Sequence, residues 1–422
     1  MAETQKKKFF YGWVIVACLF LIAMLPMVFC STFFSYYQMP ICETFGCTYA
    51  EFSASNIAST VAGMLFSLTL AGKLGKGNTR LFMLIGGIVS AAALYAQSYI
   101  TAIWQLYITF FIANFALSAI TYVPINFLIS QWFVDKKALV TSIIFTGSGV
   151  GGMLFSGVEA NLIAQQGWRM GFRVTAIIIL VTMVIVFLLV RKSPADMGLE
   201  PYRSAKTKEP AKNEPAAAAA PQWAGLSKTE ALKTLPFWLY AISAVCCGIV
   251  AAGIMTQAPT YLTENSVNYA AAMAIYSGAG IFGKLVMGPI IDKVGIQKGT
   301  ALTCGIGIIA LICLSVVPQF GATAANASMV IFPFAIAITS LAPPLLPGMI
   351  FGYKDFGGIY GLGNTFFMAG CMIGPMLSSG IRTATGSYLV AWIAIMVVFA
   401  LLAVTAILAV GTGKKLRAPA AD

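Results

Sequence analysis

An all-α polytopic membrane protein is predicted, with twelve transmembrane helices arranged as two six-helix bundles, and three observations predict it. The 422-residue chain is 59% hydrophobic and only 9% charged, whereas soluble domains carry about 25% charged residues. Its apolar runs are about 20 residues long, enough to cross ~30 Å of hydrocarbon as helices. A single polar stretch, "EPYRSAKTKEPAKNEPAAAAAPQ" at 200–222, parts those runs six and six. Short segments of alternating polarity are absent, which argues against an outer-membrane barrel.

The spans follow in order, with boundaries that hydropathy fixes only roughly. Span 1 (roughly 10–35) has a basic start and an apolar run too long for a signal-peptide core, and no small-residue cleavage site follows it. Spans 2 to 6 cover roughly 51–72, 80–100, 102–130, 138–160 and 170–191. Spans 7 to 12 cover roughly 236–262, 270–291, 300–317, 326–350, 358–380 and 388–411. Span 5 is entered by "FVDKKALVTSIIFTGSGVGGMLFSG" (133–157) and span 11 by "YKDFGGIYGLGNTFFMAGCMIGPMLSSG" (353–380). Each places an acidic residue before a glycine-rich helix, and small residues let neighbouring helices approach closely and slide. Two six-helix halves that echo each other around a cleft are the design of an alternating-access carrier. In span 10, Pro343, Pro344 and Pro347 remove backbone donors and predict a bend or gate, tolerated only against protein or a wet cavity. Pro26, Pro40, Pro124 and Pro259 are further expected kinks. The organisation expected is a bundle over 1–192, a Pro- and Ala-rich, disordered or loosely helical linker over 193–235, and a bundle over 236–422.

Charge sets the topology. Lys6 to Lys8, Lys73, Lys76, Arg80, Lys136, Lys137, Arg191, Lys192, the linker, Lys293, Lys298, Lys354 and the tail "GKKLR" fall on one side if both termini share it. Arg169, Arg173 and Arg382 fall on the other. The positive-inside rule then puts both termini in the cytoplasm. The net charge of +12 is spent on these short loops, so no nucleic-acid surface is expected. The chain has no histidine and nine cysteines. Seven of the nine (Cys18, Cys30, Cys246, Cys247, Cys304, Cys313, Cys371) lie in apolar runs as small hydrophobes. Cys42 and Cys47 share an exterior loop, where free thiols are the expected state. Without histidine or a cysteine–carboxylate cluster there is no expected metal, cofactor or catalytic base, and an enzyme is not expected.

"GPIIDKVGIQK" (288–298) resembles the signature loop of the major facilitator superfamily, G-x-x-x-D-R/K-x-G-x-x-R/K. The resemblance implies a latch. Asp292, beside Lys293, pairs with basic residues and the N-terminus of a neighbouring helix, the counterpart acid before span 5 being Asp135. The first-half equivalent, "GKLGKGNTR" (72–80), lacks the Asp. Four further stretches are similar to the bacterial oxalate:formate antiporter and monocarboxylate porter branch. They are "QWFVDKKALVTSIIFTGSGVGG" (131–152), "GWRMGFRVTAI" (167–177), "SPADMGLEP" (193–201) and "SKTEALKTLPFWLYAI" (227–242).

Lys284, in "AGIFGKLVMGPIID" (279–292), is the leading site residue. A charge in mid-span costs at least ~2.5–3.5 kcal/mol and usually faces a cavity, although a lysine can also snorkel toward the interface. The resemblance implies that this helix-8 cation binds the substrate carboxylate. Animal-type proton symporters of this family carry an Asp one turn before that cation, where this chain has Gly280. The absence of a mid-span acid favours exchange or facilitated diffusion over proton symport. The oxalate transporter's second lysine, in helix 11, is replaced here by Phe367, which implies a monocarboxylate rather than oxalate. The resemblance also implies Tyr122 as a binding-site aromatic, with Asn126 one turn on. Thr32, Tyr36 and Gln38 in span 1, Gln257 and Tyr261 in span 7 and Asn364 in span 11 are further polar candidates at membrane depth.

The expected function is therefore transport of a small organic anion, most simply a monocarboxylate, across the cytoplasmic membrane by a monomer embedded in the lipid bilayer. Export of larger amphipathic compounds and proton-coupled monocarboxylate symport are the alternatives. A ligand-binding sensor would carry a sizeable cytoplasmic domain, for which only the short linker is available.

Overall fold

In a computed structural model the chain is described over residues 10–74, 77–203 and 225–416. Lys6 to Lys8, Lys76, Arg417 and linker residues 204–224, on which the topology and linker expectations partly rest, lie outside the described residues. Twelve long segments run in order: α1 Gly12–Phe45, α2 Tyr49–Thr69, α3 Thr79–Gln97, α4 Ile103–Trp132, α5 Lys137–Gln166 and α6 Trp168–Leu189. The second half holds α7 Leu235–Gly253, α8 Tyr269–Val294, α9 Ile296–Ser315, α10 Val317–Phe351, α11 Phe356–Thr385 and α12 Tyr388–Lys415. Among the described residues, 11 helices are long and apolar enough to cross a membrane. The remaining one, α2, has the length at 21 residues, but its outer half carries Glu51, Ser53, Ser55, Asn56 and Ser59. No β-strand occurs among the described residues, only an isolated bridge between Phe133 and Tyr202.

Several spans are interrupted, and each interruption has a local cause. The regular part of α1 ends at Met24; a π turn (Val28–Thr32) and a 3-10 turn (Phe33–Tyr37) follow before α-helix resumes at Gln38. The α4 segment breaks between Leu117 and Tyr122, just before Pro124. After Gly253 the seventh span breaks and restarts as a short helix, Ala258–Glu264, with a proline in its first turn. The expected break at Pro343, Pro344 and Pro347 does not occur. The α10 helix continues through all three, and inside it Gly321 alone leaves helical angles (φ 54°, ψ −135°). Pro347 has no N–H for the carbonyl of Pro343, four residues earlier. The buried Tyr240 hydroxyl of α7 donates to that carbonyl instead, at 2.8 Å, so the proline run is tied to its neighbour.

Two hydrophobic cores result. One draws on residues from Ile15 to Val190; the other draws on Ala231 to Val410 and reaches across to Ala138 of α5. The seam between them is shut at the end that carries Lys137, Asp292 and Asp355. There, an added Cβ on Gly288 of α8 would lie 2.3 Å from Ser142 Oγ of α5. On the other side of the seam, a Cβ on Gly361 of α11 would lie 2.5 Å from Ala71 Cβ and 2.6 Å from the Ser67 carbonyl, next to α2. The α5–α8 contact persists up to Gly149 against Ile281 at 3.1 Å, and beyond it a Cβ on Gly152, Gly278 or Gly280 meets nothing within 4 Å. The molecule is therefore closed at its basic end and open between the halves at the other.

Candidate functional site

The α8 helix starts on the Asn268 side chain, which accepts from the Ala271 N–H, and runs past Pro289 to Gly295. That register aims Lys284 across the seam. Its Nζ donates to the Phe145 carbonyl at 3.2 Å and to Ser148 Oγ at 3.3 Å, both on α5 of the opposite half. The ion pairs among the described residues are Lys354–Glu230 and Arg382–Glu264, so Lys284 has no carboxylate partner there. The ammonium is thus held by one carbonyl and one hydroxyl, directly inside the point where the halves part above Gly280.

Tyr122 shares that wall. Its ring stacks on Phe145 (centroids 5.4 Å apart, planes 22°) and it is 37% exposed where the break in α4 opens. Asn126, one turn on, faces the other way along the seam. Its amide donates to the Tyr122 carbonyl at 2.8 Å and to the Tyr360 hydroxyl of α11 at 3.2 Å. Asn364 of α11 likewise donates to Ser67 Oγ of α2 at 2.9 Å. Both amides are buried and hold the halves together toward the shut end. The structure therefore brings Lys284 and Tyr122 together at Phe145 of α5, while Asn126 and Asn364 serve as cross-half ties at α11.

The α1 candidates lie further out. Phe29 packs on Phe155 (5.8 Å), two turns beyond Ser148, and Thr32 and Tyr36 are exposed past that point, Tyr36 stacked over Phe33 at 5.4 Å. Gln38 and Gln257 are half-buried. Tyr261 is not available to a cleft: its hydroxyl donates to the Leu314 carbonyl at 2.7 Å and its ring packs on Tyr388 and Trp392. A carbonyl left free at the end of α9 has claimed it.

The latch residues behave unequally. Asp292 accepts from the N–H groups of Ala138 (3.0 Å) and Leu139 (2.8 Å), two orphan donors of the first turn of α5. Lys136 and Asp135 lie within electrostatic reach of it, while Lys293 is exposed. Nearby, Lys137 Nζ bonds to the Tyr353 hydroxyl and sits 4.0 Å from its ring centroid. A cavity of about 400 Å³ opens on this face, lined among others by Gln131, Lys192, Asp196 and Asp355. It lies across the shut seam from Lys284.

Sequence reasoning did not single out Phe145 and Ser148 as partners of Lys284. Ser148 sits inside "TGSGVGG", where the small residues signalled packing and hid the polar one. Glu159 lies in the outer part of α5. Its side chain, however, is turned inward and is only 1% exposed, with the Tyr37 hydroxyl bonded to it. Cys42 and Cys47 are free thiols with their sulfurs 3.3 Å apart.

An all-α bundle of this length, with 11 described helices long and apolar enough to cross a membrane, defines an integral membrane protein. The family model of the Major Facilitator Superfamily matches residues 13–375, and the chain belongs to that superfamily. It is similar to "Monocarboxylate transporter 12-B" of Danio rerio, at 26% identity over 162 residues, covering 38% of this chain and 33% of that protein. It is also similar to "MFS transporter asaE" of Aspergillus flavus, at 25% identity over 317 residues, covering 73% of this chain and 66% of that protein. The chain thus spans about a third of the monocarboxylate transporter's length. Among solved structures, the transporter FucP in the outward conformation superposes with a TM-score of 0.68 at 13% identity, covering 94% of this chain and 98% of that one. That likeness is one of fold.

Proposed function

We propose that the protein moves a small organic anion, a monocarboxylate foremost, across the cytoplasmic membrane by alternating access, as an exchanger or facilitator. The observation that carries this reading is Lys284: a cation with no carboxylate partner among the described residues, tied across the seam to Phe145 and Ser148. A carboxylate entering from the open end gives the ammonium an acceptor of opposite charge, which the neutral carbonyl and hydroxyl do not supply. The anion then replaces the carbonyl and hydroxyl, and Tyr122 forms the adjoining wall. Breaking that tie lets the halves rock about the occupied site. Gly280 leaves no titrating group within a turn of Lys284, which supports exchange or facilitated diffusion over proton symport.

In this reading 1–192 and 236–422 are the moving bundles, joined by the 193–235 linker, and each contributes one wall, so a monomer suffices. The positive-inside rule makes the basic end cytoplasmic, with both termini there, and the described state outward-facing. Asp292, with Lys136 and Lys293 beside it and Asp135 close by, holds that end shut. Thr32, Tyr36, Gln38 and Gln257 line the outer approach. Pro343, Pro344 and Pro347 make a stiff element rather than a gate.

The test is counterflow in proteoliposomes loaded with unlabelled monocarboxylate. Saturable entry of labelled monocarboxylate, dependent on internal anion and not driven to accumulate by an imposed proton gradient, is expected. Inhibition by bulky amphipathic cations but not by carboxylates would overturn the reading in favour of an exporter.

A further inference from the structure

We infer that Glu159 is a proton-binding site, loaded from the exterior side alone, that controls closure of the outer gate over Lys284. This rests on the anion-exchange reading above and adds its regulation. Glu159 is buried inside the first bundle (1% exposed), and the Tyr37 hydroxyl of α1 donates to its Oε1. Tyr37 is itself sealed, stacked on Phe172 with centroids 4.1 Å apart. A Cβ on Gly171 would lie 2.6 Å from its hydroxyl.

Among the described residues no cation faces this carboxyl group. From α1 come the Tyr37 phenol and, behind it, the Cys30 thiol. From α6 comes the buried Thr175 hydroxyl, set beside the Tyr37 phenol. The α6 arginines turn away: Arg169 bonds to the carbonyls of Ser98 and Ile100, and Arg173 to Ser98 Oγ. An ionised carboxylate without cation or water is costly to bury, whereas a carboxylic acid fits.

Tyr37 ends the irregular π and 3-10 stretch Val28–Tyr37 of α1, and π turns mark functional sites. On the same stretch Thr32 and Tyr36 are exposed. Closing the gap between the halves requires α1 to move. When Tyr37 lifts from Glu159, water reaches the acid, which releases its proton to the exterior. The resulting carboxylate cannot be resealed until a proton returns. Glu159 lies eleven residues beyond Ser148 along α5, about 16 Å at 1.5 Å per residue, on the outer side. The proton therefore returns to the side it came from, and none crosses with the anion.

The test is counterflow at fixed internal pH with external pH varied from about 5 to about 8, run on wild type, Glu159→Gln, Tyr37→Phe and Lys284→Ala. Wild-type exchange is expected to fall about tenfold as external pH rises and to ignore internal pH. Glu159→Gln should run at the acid rate throughout. Tyr37→Phe, which removes a donor to the ionised form, should move the midpoint to higher external pH and keeps the inference testable if Glu159→Gln does not fold. A wild-type profile retained in Glu159→Gln, or flat in wild type, overturns the inference while leaving the anion site intact. Normal exchange by Lys284→Ala overturns the anion-site reading instead.

Discussion

The two seams that join the halves are built from opposite materials. Between α5 and α8 the contact is polar. Asp292 caps the first turn of α5, and Lys284 reaches back to Phe145 and Ser148. Between α2 and α11 it is steric. Gly72 lies against Gly358, Gly357 and Gly361 press on Ala71 and Ser67, and the Asn364 amide donates one hydrogen bond to the Ser67 hydroxyl. The first-half loop has no acid to play the part of Asp292, and backbone contact takes its place. The difference teaches where a ligand can act. A charged seam can be undone by an ion that competes for its partners, whereas a glycine seam can only be wedged apart. We therefore place ligand control on α5–α8 and pivoting on α2–α11.

The largest effect should come from wedging the steric seam. Gly361→Val would drive carbon into Ala71 Cβ and the Ser67 carbonyl, and overpacking of this kind costs about 1–3 kcal/mol. Spin labels across the basic end should then report a shift toward the open state of roughly tenfold or more. Next comes the polar seam. Asp292→Ala removes both acceptors from the start of α5, a cap worth about 0.5–2 kcal/mol. The same labels should report a shift in the same direction, several-fold in size. Asp292→Asn, which keeps one acceptor, should fall between that variant and wild type. The smallest displacement belongs to Tyr240→Phe, within one half. It leaves the Pro343 carbonyl unpaired, costing about 1–3 kcal/mol of stability, and so lowers Tm while leaving the open-to-closed ratio unchanged. A Tyr240→Phe variant that moved the ratio would show that the halves do not behave as units.

Much of the fold was legible because hydropathy and loop charge are one-dimensional signals. The six-plus-six count follows from them, whereas the latch at Asp292 was implied by the resemblance of 288–298 to the signature loop. What escaped is what depends on the facing helix. Asn126 and Asn364 read as lining residues because spacing gives a face but not the neighbour; Tyr360 and Ser67 had already claimed them. Tyr261 was taken by the end of α9. The three prolines of α10 read as a bend because the sequence does not reveal that Tyr240 supplies the missing donor. The burial of Glu159 was not legible either, because position along a helix says nothing of the direction a side chain takes.

The central claim is that Lys284 is the anion's partner, and equilibrium binding tests it most directly. A short monocarboxylate such as lactate would be titrated by calorimetry into the purified protein in lipid nanodiscs, with wild type beside Lys284→Ala and Lys284→Arg. Removing one partner of a buried charge pair costs about 2–5 kcal/mol, so the alanine variant should bind at least thirtyfold more weakly. The arginine variant should remain within about tenfold of wild type. Unchanged affinity in Lys284→Ala would contradict the account and leave Lys284 as a tie between α8 and α5 and nothing more.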